Sequence, residues 1–164
     1  MSLGKLDEGK VEIQIAEMNL QECLHDIIEE MKPFLKKDQH IDQDYSGSTI
    51  IFSDKKLIRN VIINLISNAI KFSGEGSKIK IHTFVNSDDS IIEIADEGIG
   101  ISETEQEHLF SSFFRAANAT NIQGTGMGLH IVKRYVDLLG GFVKLKSRLN
   151  EGTVVTLLIP SNHP

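Results

Sequence analysis

Between Asp54 and Phe72 the chain is apolar at Leu57, Ile58, Val61, Ile62, Ile63, Leu65, Ile66, Ala69 and Ile70. A helix that is apolar over so much of its circumference must be buried against other elements, so it forms the centre of whatever the chain becomes. Its remaining surface is a polar stripe. Asn60, Asn64 and Asn68 recur every four residues and Lys71 follows three later, which places all four within an arc of roughly 80° at 100° per residue. Asparagine costs about 0.5 kcal/mol relative to alanine inside a helix, and a buried amide without partners costs more. A solvated face accounts for Asn60. For Asn64, Asn68 and Lys71 the residue types point to ligand chemistry, because an amide oxygen can ligate Mg²⁺ and a lysine can neutralise phosphate.

The other periodicities surround this helix with a sheet. Val11, Ile13 and Ile15 alternate with polar or small residues and predict a half-buried strand. Asn19 with Glu22 reads as an N-cap and its partner, opening a helix with apolar Leu20, Cys23, Leu24, Ile27, Ile28 and Met31, which Pro33 kinks or ends. A polar connection leads to a β-rich run from Thr49 to Phe52. Lys78 to Asn86 and Ser90 to Asp96 predict two strands joined as a hairpin through Ser87-Asp88-Asp89. Ser102 and Glu105 form a capping-box pattern for a short helix carrying Leu109, Phe110, Phe113 and Phe114, whose spacing reads first as core packing. Ala116 to Gly124 is small and polar and reads as a mobile loop. A last helix runs from about Gly128 to Leu139 and stops at Gly140-Gly141. Phe142 to Arg148 and Thr153 to Ile159 close the chain as strands around Asn150-Glu151-Gly152. Strands and helices interleave without regular alternation, so the expected fold is a two-layer α/β sandwich whose mixed sheet carries helices on one face.

Two further segments carry chemistry. Asp96-Glu-Gly98-Ile-Gly100 sits at the end of a predicted strand, with glycines that let backbone approach a flat ligand. An ionised carboxylate only accepts hydrogen bonds, so Asp96 can take the amino proton of adenine but would meet the guanine carbonyl unfavourably. Gly124-Thr125-Gly126-Met127-Gly128-Leu129 leads into a helix whose N-terminus favours bound anion. It lacks the lysine of the G-x-x-x-x-G-K-[ST] loop, and Leu129 stands where G-x-G-x-x-G needs its last glycine, so neither of those nucleotide folds fits. Arg115, beside the predicted loop, could fold over phosphates. A metal ligand, a base-reading carboxylate and a phosphate loop in this order read as an ATP site.

At 164 residues the chain suits one domain with a substantial core. Its net charge of −6 argues against a nucleic-acid surface, which would show a basic patch, so a polyanionic ligand must be held by local features. No apolar run approaches the roughly 20 residues of a membrane span, and no membrane contact is expected of this piece. Cys23, the single cysteine, has no internal disulfide partner and suits a buried thiol in a reducing, cytoplasmic setting.

These segments resemble the catalytic and ATP-binding domain of the sensor histidine kinases, within the superfamily shared with DNA gyrase, the heat-shock chaperone ATPases and the MutL proteins. The resemblance covers roughly Val11 to Pro160. Asn64 to Phe72 is similar to the family's asparagine box, Asp96 to Gly100 to its first glycine box, Phe110 to Phe114 to its phenylalanine box and Gly124 to Leu129 to its second glycine box. The resemblance implies the Bergerat-type sandwich with a mostly antiparallel sheet. It makes Asn68 the Mg²⁺ ligand, Asn64 a support for metal and phosphates, Lys71 a phosphate contact and Asp96 the partner of the adenine amino group. Gly98 and Gly100 would shape the base pocket beside Phe72, and Thr153 would reach adenine through water. Residues from Phe110 to Gly126, Phe114 and Arg115 among them, would form a mobile lid over the nucleotide.

In the hydrolysing branches of that superfamily a glutamate four residues before the metal-binding asparagine serves as general base; here that position is Asn64, and an amide cannot take a proton at neutral pH. Little hydrolysis is expected, and transfer of the γ-phosphoryl group to a histidine is implied instead. The family's acceptor histidine lies in a helical dimerisation hairpin whose signature no histidine here continues: His25-Asp26 begins it, but Ile27-Ile28-Glu29 departs from it. Met1-Ser2-Leu3 reads as a vector remnant and Leu3 to Lys10 resembles the tail of the hairpin's second helix, so residues 1–10 precede a catalytic domain of 11–160 and a short tail of 161–164. The expected partners are the hairpin and, downstream, the receiver domain of a response regulator. The fragment is expected to be a monomer cut from a homodimeric parent that is itself anchored in a membrane or free of it. Two other readings are a degenerate nucleotide-sensing or docking module, and a serine kinase of the anti-sigma type.

Overall fold

The computed structural model describes residues 12–102 and 126–161, with the side chains of 126–128 excepted. Along the chain run β1 (Ala16–Asn19), α1 (Leu20–Met31), β2 (His40–Gly47), β3 (Ile50–Ser53), α2 (Lys55–Phe72), β4 (Lys78–Val85), β5 (Asp89–Asp96), α3 (Gly126–Leu138), β6 (Phe142–Arg148) and β7 (Gly152–Pro160). Five strands form one sheet in the order β2-β4-β5-β7-β6, and β1 pairs with β3 in a separate two-stranded ribbon. Within the large sheet β2 runs parallel to β4, and the other pairings are antiparallel. The fold is the mixed, mostly antiparallel α/β sandwich expected.

The alternation along the central strands decides which face is covered. Ile79, Ile81, Thr83 and Val85 of β4, Ser90, Ile92 and Ile94 of β5, and Val155, Leu157 and Ile159 of β7 are all buried, as period two requires of a one-sided core. Over them lies α2, with Leu57, Ile58, Val61, Ile62, Leu65, Ile66, Ala69 and Ile70 buried, packed against α1, α3 and β5. The other sheet face carries Lys78, Lys80, Lys144, Lys146 and Arg148. It also carries one apolar row in direct register, Phe84, Ile91, Leu158 and Phe142, with Phe142 67% exposed.

Local chemistry sets the helix ends. Asn19 caps α1 by accepting from Glu22 N–H at 2.9 Å, and Pro33 enters a single 3-10 turn, Lys32–Phe34, that ends the helix. Asp54 caps α2 by accepting from Leu57 N–H at 3.1 Å. At the end of α3, Gly140 takes φ +78° while Gly141 N–H donates to Val136 O and Gly140 N–H to Asp137 O, a Schellman closure.

Two expectations are corrected. The first strand is not at 11–15: Val11 lies outside the described residues, residues 12–15 are irregular, and β1 begins at Ala16. Ile13 stays 38% exposed, and Gln14 N–H donates to Asp54 Oδ2 at 2.8 Å rather than to a strand. The polar connection before β3 contains an eight-residue strand, β2. It lies at the sheet edge, where only Ile41 and Tyr45 pack against the core, so its sequence carries little apolar signal. The expected helix after Ser102 and the loop from Ala116 to Gly124 lie outside the described residues. The last helix starts at Gly126, two residues before its expected start.

Candidate nucleotide-binding cleft

The stripe on α2 is built from back-bonded amides. Asn60 Nδ2 donates to Lys56 O at 3.0 Å and Asn64 Nδ2 to Asn60 O at 2.9 Å, each returning to the carbonyl one turn earlier. Asn68 breaks the series: its Nδ2 is buried and has no hydrogen-bond partner among the described residues. A buried amide left open costs the fold free energy, and among the described residues nothing relieves that cost at Asn68. Turning the amide over would put its oxygen at the same place.

The helix end that carries Lys71 and Phe72 is held from outside. Lys36 Nζ donates to Lys71 O at 3.0 Å and also to Ser73 O, and Gln39 Nε2 donates to Ile70 O at 3.4 Å. These donors satisfy carbonyls that the end of a helix leaves orphaned, and the ammonium complements the negative end of its dipole. Phe72 O in turn accepts from Ile99 N–H at 3.2 Å, which ties the helix end to the turn after β5.

That turn is shaped around Asp96. Gly98 N–H donates to Asp96 Oδ1 at 2.8 Å, and Thr153, directly opposite on β7, donates its backbone N–H to the same carboxylate. Burial nevertheless pushes the Asp96 carboxyl up to about 6, the two backbone donors only partly offsetting it. Gly98 leaves no space for a side chain, since a Cβ there would stand 2.4 Å from Phe72 O. Gly100 has φ +72°, and a Cβ on it would stand 1.9 Å from Arg148 O.

The structure thus brings Phe72, Asp96, Gly98, Gly100 and Thr153 together, with Asn64, Asn68 and Lys71 on the last turns of α2 leading to Phe72. Leu129 is buried on α3. Of Gly126, Met127 and Gly128 only the helical backbone is described, and Phe110, Phe113, Phe114, Arg115, Gly124 and Thr125 lie outside the described residues. Sequence reasoning missed Lys36 and Gln39, whose role depends on a fold-back that no local pattern encodes. It also missed Ser147, one position in an alternating strand, whose Oγ lies 2.8 Å from Thr153 Oγ1 and 2.8 Å from Ile101 N. A hollow of about 660 Å³ lined by Gln21, Glu22, His25, Asp26, Gln43 and Tyr45 shares none of these residues.

A half-buried strand-end carboxylate, glycines pressed against backbone and an asparagine-bearing helix above one face of the sheet define an ATP-binding domain of the two-layer type. Residues 53–163 match the model of the family described as histidine kinase-, DNA gyrase B- and HSP90-like ATPases. Among curated relatives, the circadian input-output histidine kinase CikA of Synechococcus elongatus is 28% identical over 166 positions, covering 98% of this chain and 22% of that protein. The hybrid signal transduction histidine kinase B of Dictyostelium discoideum is 33% identical over 174 positions, covering 100% of this chain and 9% of that protein. A solved nucleotide-free catalytic domain of the histidine kinase ThkA superposes with a TM-score of 0.79 at 30% identity, covering 90% of this chain and 96% of that one. The chain belongs to this family of ATPases, and within it is a catalytic domain of the histidine kinase kind. It spans between 9% and 36% of the length of curated relatives such as these.

Proposed function

We propose that the domain binds Mg-ATP between the end of α2 and the Asp96 turn, and donates the γ-phosphoryl group to a histidine on a dimerisation hairpin of its parent protein. The observation that carries this reading is Asp96, an acceptor-only group held by two backbone donors at the end of a strand. Ionised, it takes the adenine amino proton; Gly98 and Gly100 bring backbone close to the base, with Phe72 beside it and Thr153 contributing through water.

Mg²⁺ fits the residues present. Turned over, the open amide of Asn68 presents its oxygen as one neutral ligand, and among the described residues no cluster of three or more His, Cys, Asp or Glu offers a competing site. Magnesium is commonly held by one or two protein oxygens, phosphates and water; bound here it would neutralise charge on the β- and γ-phosphates. Asn64, whose nitrogen is engaged with Asn60 O, leaves its oxygen to orient that shell, and Lys71 contacts phosphate. Arg115, Phe114 and the segment Gly124 to Leu129 complete the proposed lid and phosphate loop. Transfer breaks the γ-phosphorus bond to ADP and forms one to a histidine ring nitrogen, driven by positioning and electrostatics. Asn64 stands where a water-activating base would be needed, so water is a poor acceptor.

The parent is proposed to be a homodimer that passes the phosphoryl group to a response-regulator receiver domain, with this domain on the cytoplasmic side if the parent is membrane-anchored. No described helix is long and apolar enough to cross a membrane. The test is calorimetric titration of ATP and GTP with Mg²⁺, then addition of the parent's hairpin. ATP binding weakened at least tenfold by Asn68→Ala, followed by acid-labile phosphohistidine on the hairpin, is the expected result. Acid-stable phosphoserine, or no transfer from bound ATP, overturns it.

A further inference from the structure

The structure assigns Ser147 as a specificity-determining positioning residue of the cleft, one that fixes Thr153 as a hydrogen-bond acceptor toward the bound base; the inference rests on the nucleotide reading above. Ser147 sits on β6, opposite Thr153 of β7 in the sheet register. Three described groups converge on its hydroxyl: Ile101 N at 2.8 Å, Gly152 O at 3.0 Å and Thr153 Oγ1 at 2.8 Å. It therefore joins the exit of the Asp96 turn to the strand that donates to Asp96.

The proton inventory decides the direction of the last bond. A serine hydroxyl has one proton and two lone pairs. Ile101 N–H can only donate, so it takes one lone pair of Ser147; Gly152 O can only accept, so it takes the proton. Thr153 must then donate its own proton into the second lone pair of Ser147. With that proton committed, Thr153 Oγ1 offers only lone pairs to anything else, as the ionised Asp96 carboxylate does. Two acceptors side by side suit a purine edge that carries an amino group, and they oppose one that carries a carbonyl, directly or through a shared water.

Ser147→Ala removes the acceptor and frees the Thr153 hydroxyl to rotate and donate. The expected result is a loss of discrimination rather than a uniform loss of affinity. The experiment measures Mg-ATP and Mg-GTP dissociation constants by calorimetry for the wild-type domain, Ser147→Ala and Thr153→Val, with thermal midpoints recorded alongside. Both variants are expected to bind ATP about five- to tenfold more weakly, as loss of one hydrogen bond implies, and to narrow the ATP-to-GTP ratio several-fold; the double variant is expected to add nothing to either single one. Thr153→Val keeps a β-branched residue suited to the strand, so it reads the same polarity even if Ser147→Ala unfolds. An unchanged ATP-to-GTP ratio in a folded variant overturns the inference, as does additive behaviour in the double variant. A wild-type domain that fails to prefer ATP overturns the nucleotide reading itself.

Discussion

A half-buried carboxylate, even with two backbone donors, works against the fold at neutral pH. The Asp96 carboxyl is raised from 3.8 to about 6 by burial, so between those values the native state binds more protons than the unfolded chain. By linkage, stability falls as pH rises through that window, and the cost is complete above about pH 6. Asp96→Asn is therefore expected to raise the thermal midpoint of the nucleotide-free domain at pH 8, with the advantage shrinking toward pH 4, while abolishing ATP selectivity. Mg-ATP affinity of the wild type is expected to fall as pH drops through about 6, and that component should vanish in the variant; a parallel pH profile for the two would refute the assignment. Asp96 and its glycines were legible in the sequence because an acidic residue followed by two glycines at a strand end restricts both chemistry and backbone. Which of Asn60, Asn64 and Asn68 leaves its amide nitrogen without a partner was not legible. All three share one helical face and the same reach to the carbonyl one turn earlier, yet Asn60 and Asn64 take that bond and Asn68 does not.

Among the elements, α2 carries the stripe, and its C-terminal end depends on a residue far away in sequence. Lys36 is partly buried with its ammonium on two carbonyls of that end. Lys36→Met keeps the aliphatic stem and removes the donors, so it is expected to cost about 1–2 kcal/mol in urea unfolding, and to weaken ATP through displacement of Lys71 and Phe72. Equal stability with the wild type would show that water replaces the ammonium without loss. The helix itself was readable from its ends inward, since Asp54, the apolar period and Phe72 all mark it. The same holds for β4, β5, β6 and β7, whose alternation survives into burial. β1 was misplaced because the alternation at 11–15 resembles a strand, whereas the sheet pairing selects Met18, the buried residue of Ala16–Asn19. β2 was overlooked for the opposite reason: an edge strand needs backbone pairing more than apolar side chains, and His40-Ile-Asp-Gln-Asp-Tyr shows little of the latter.

For the whole molecule, strand order separates sheet pairings made by near neighbours from two made by distant ones. β4 with β5 and β6 with β7 are hairpins, whereas β2 meets β4 only after β3 and all of α2 have intervened, His40 lying against Lys78, and β5 meets β7 across a longer stretch still, Asp96 lying against Thr153. Closing either loop costs more chain entropy than closing a hairpin, but β5 and β7 each pair on both sides, whereas β2, at the edge, regains that cost through one neighbour alone. In native-state hydrogen exchange, the amides of His40–Gly47 that face β4 are expected to open at a free energy below that of the β5 and β7 amides; exchange at the global value would contradict this. The parallel pairing is thus a seam at one margin of the sheet, and because β4 stands between it and Asp96, the seam can breathe while the Asp96 turn stays assembled.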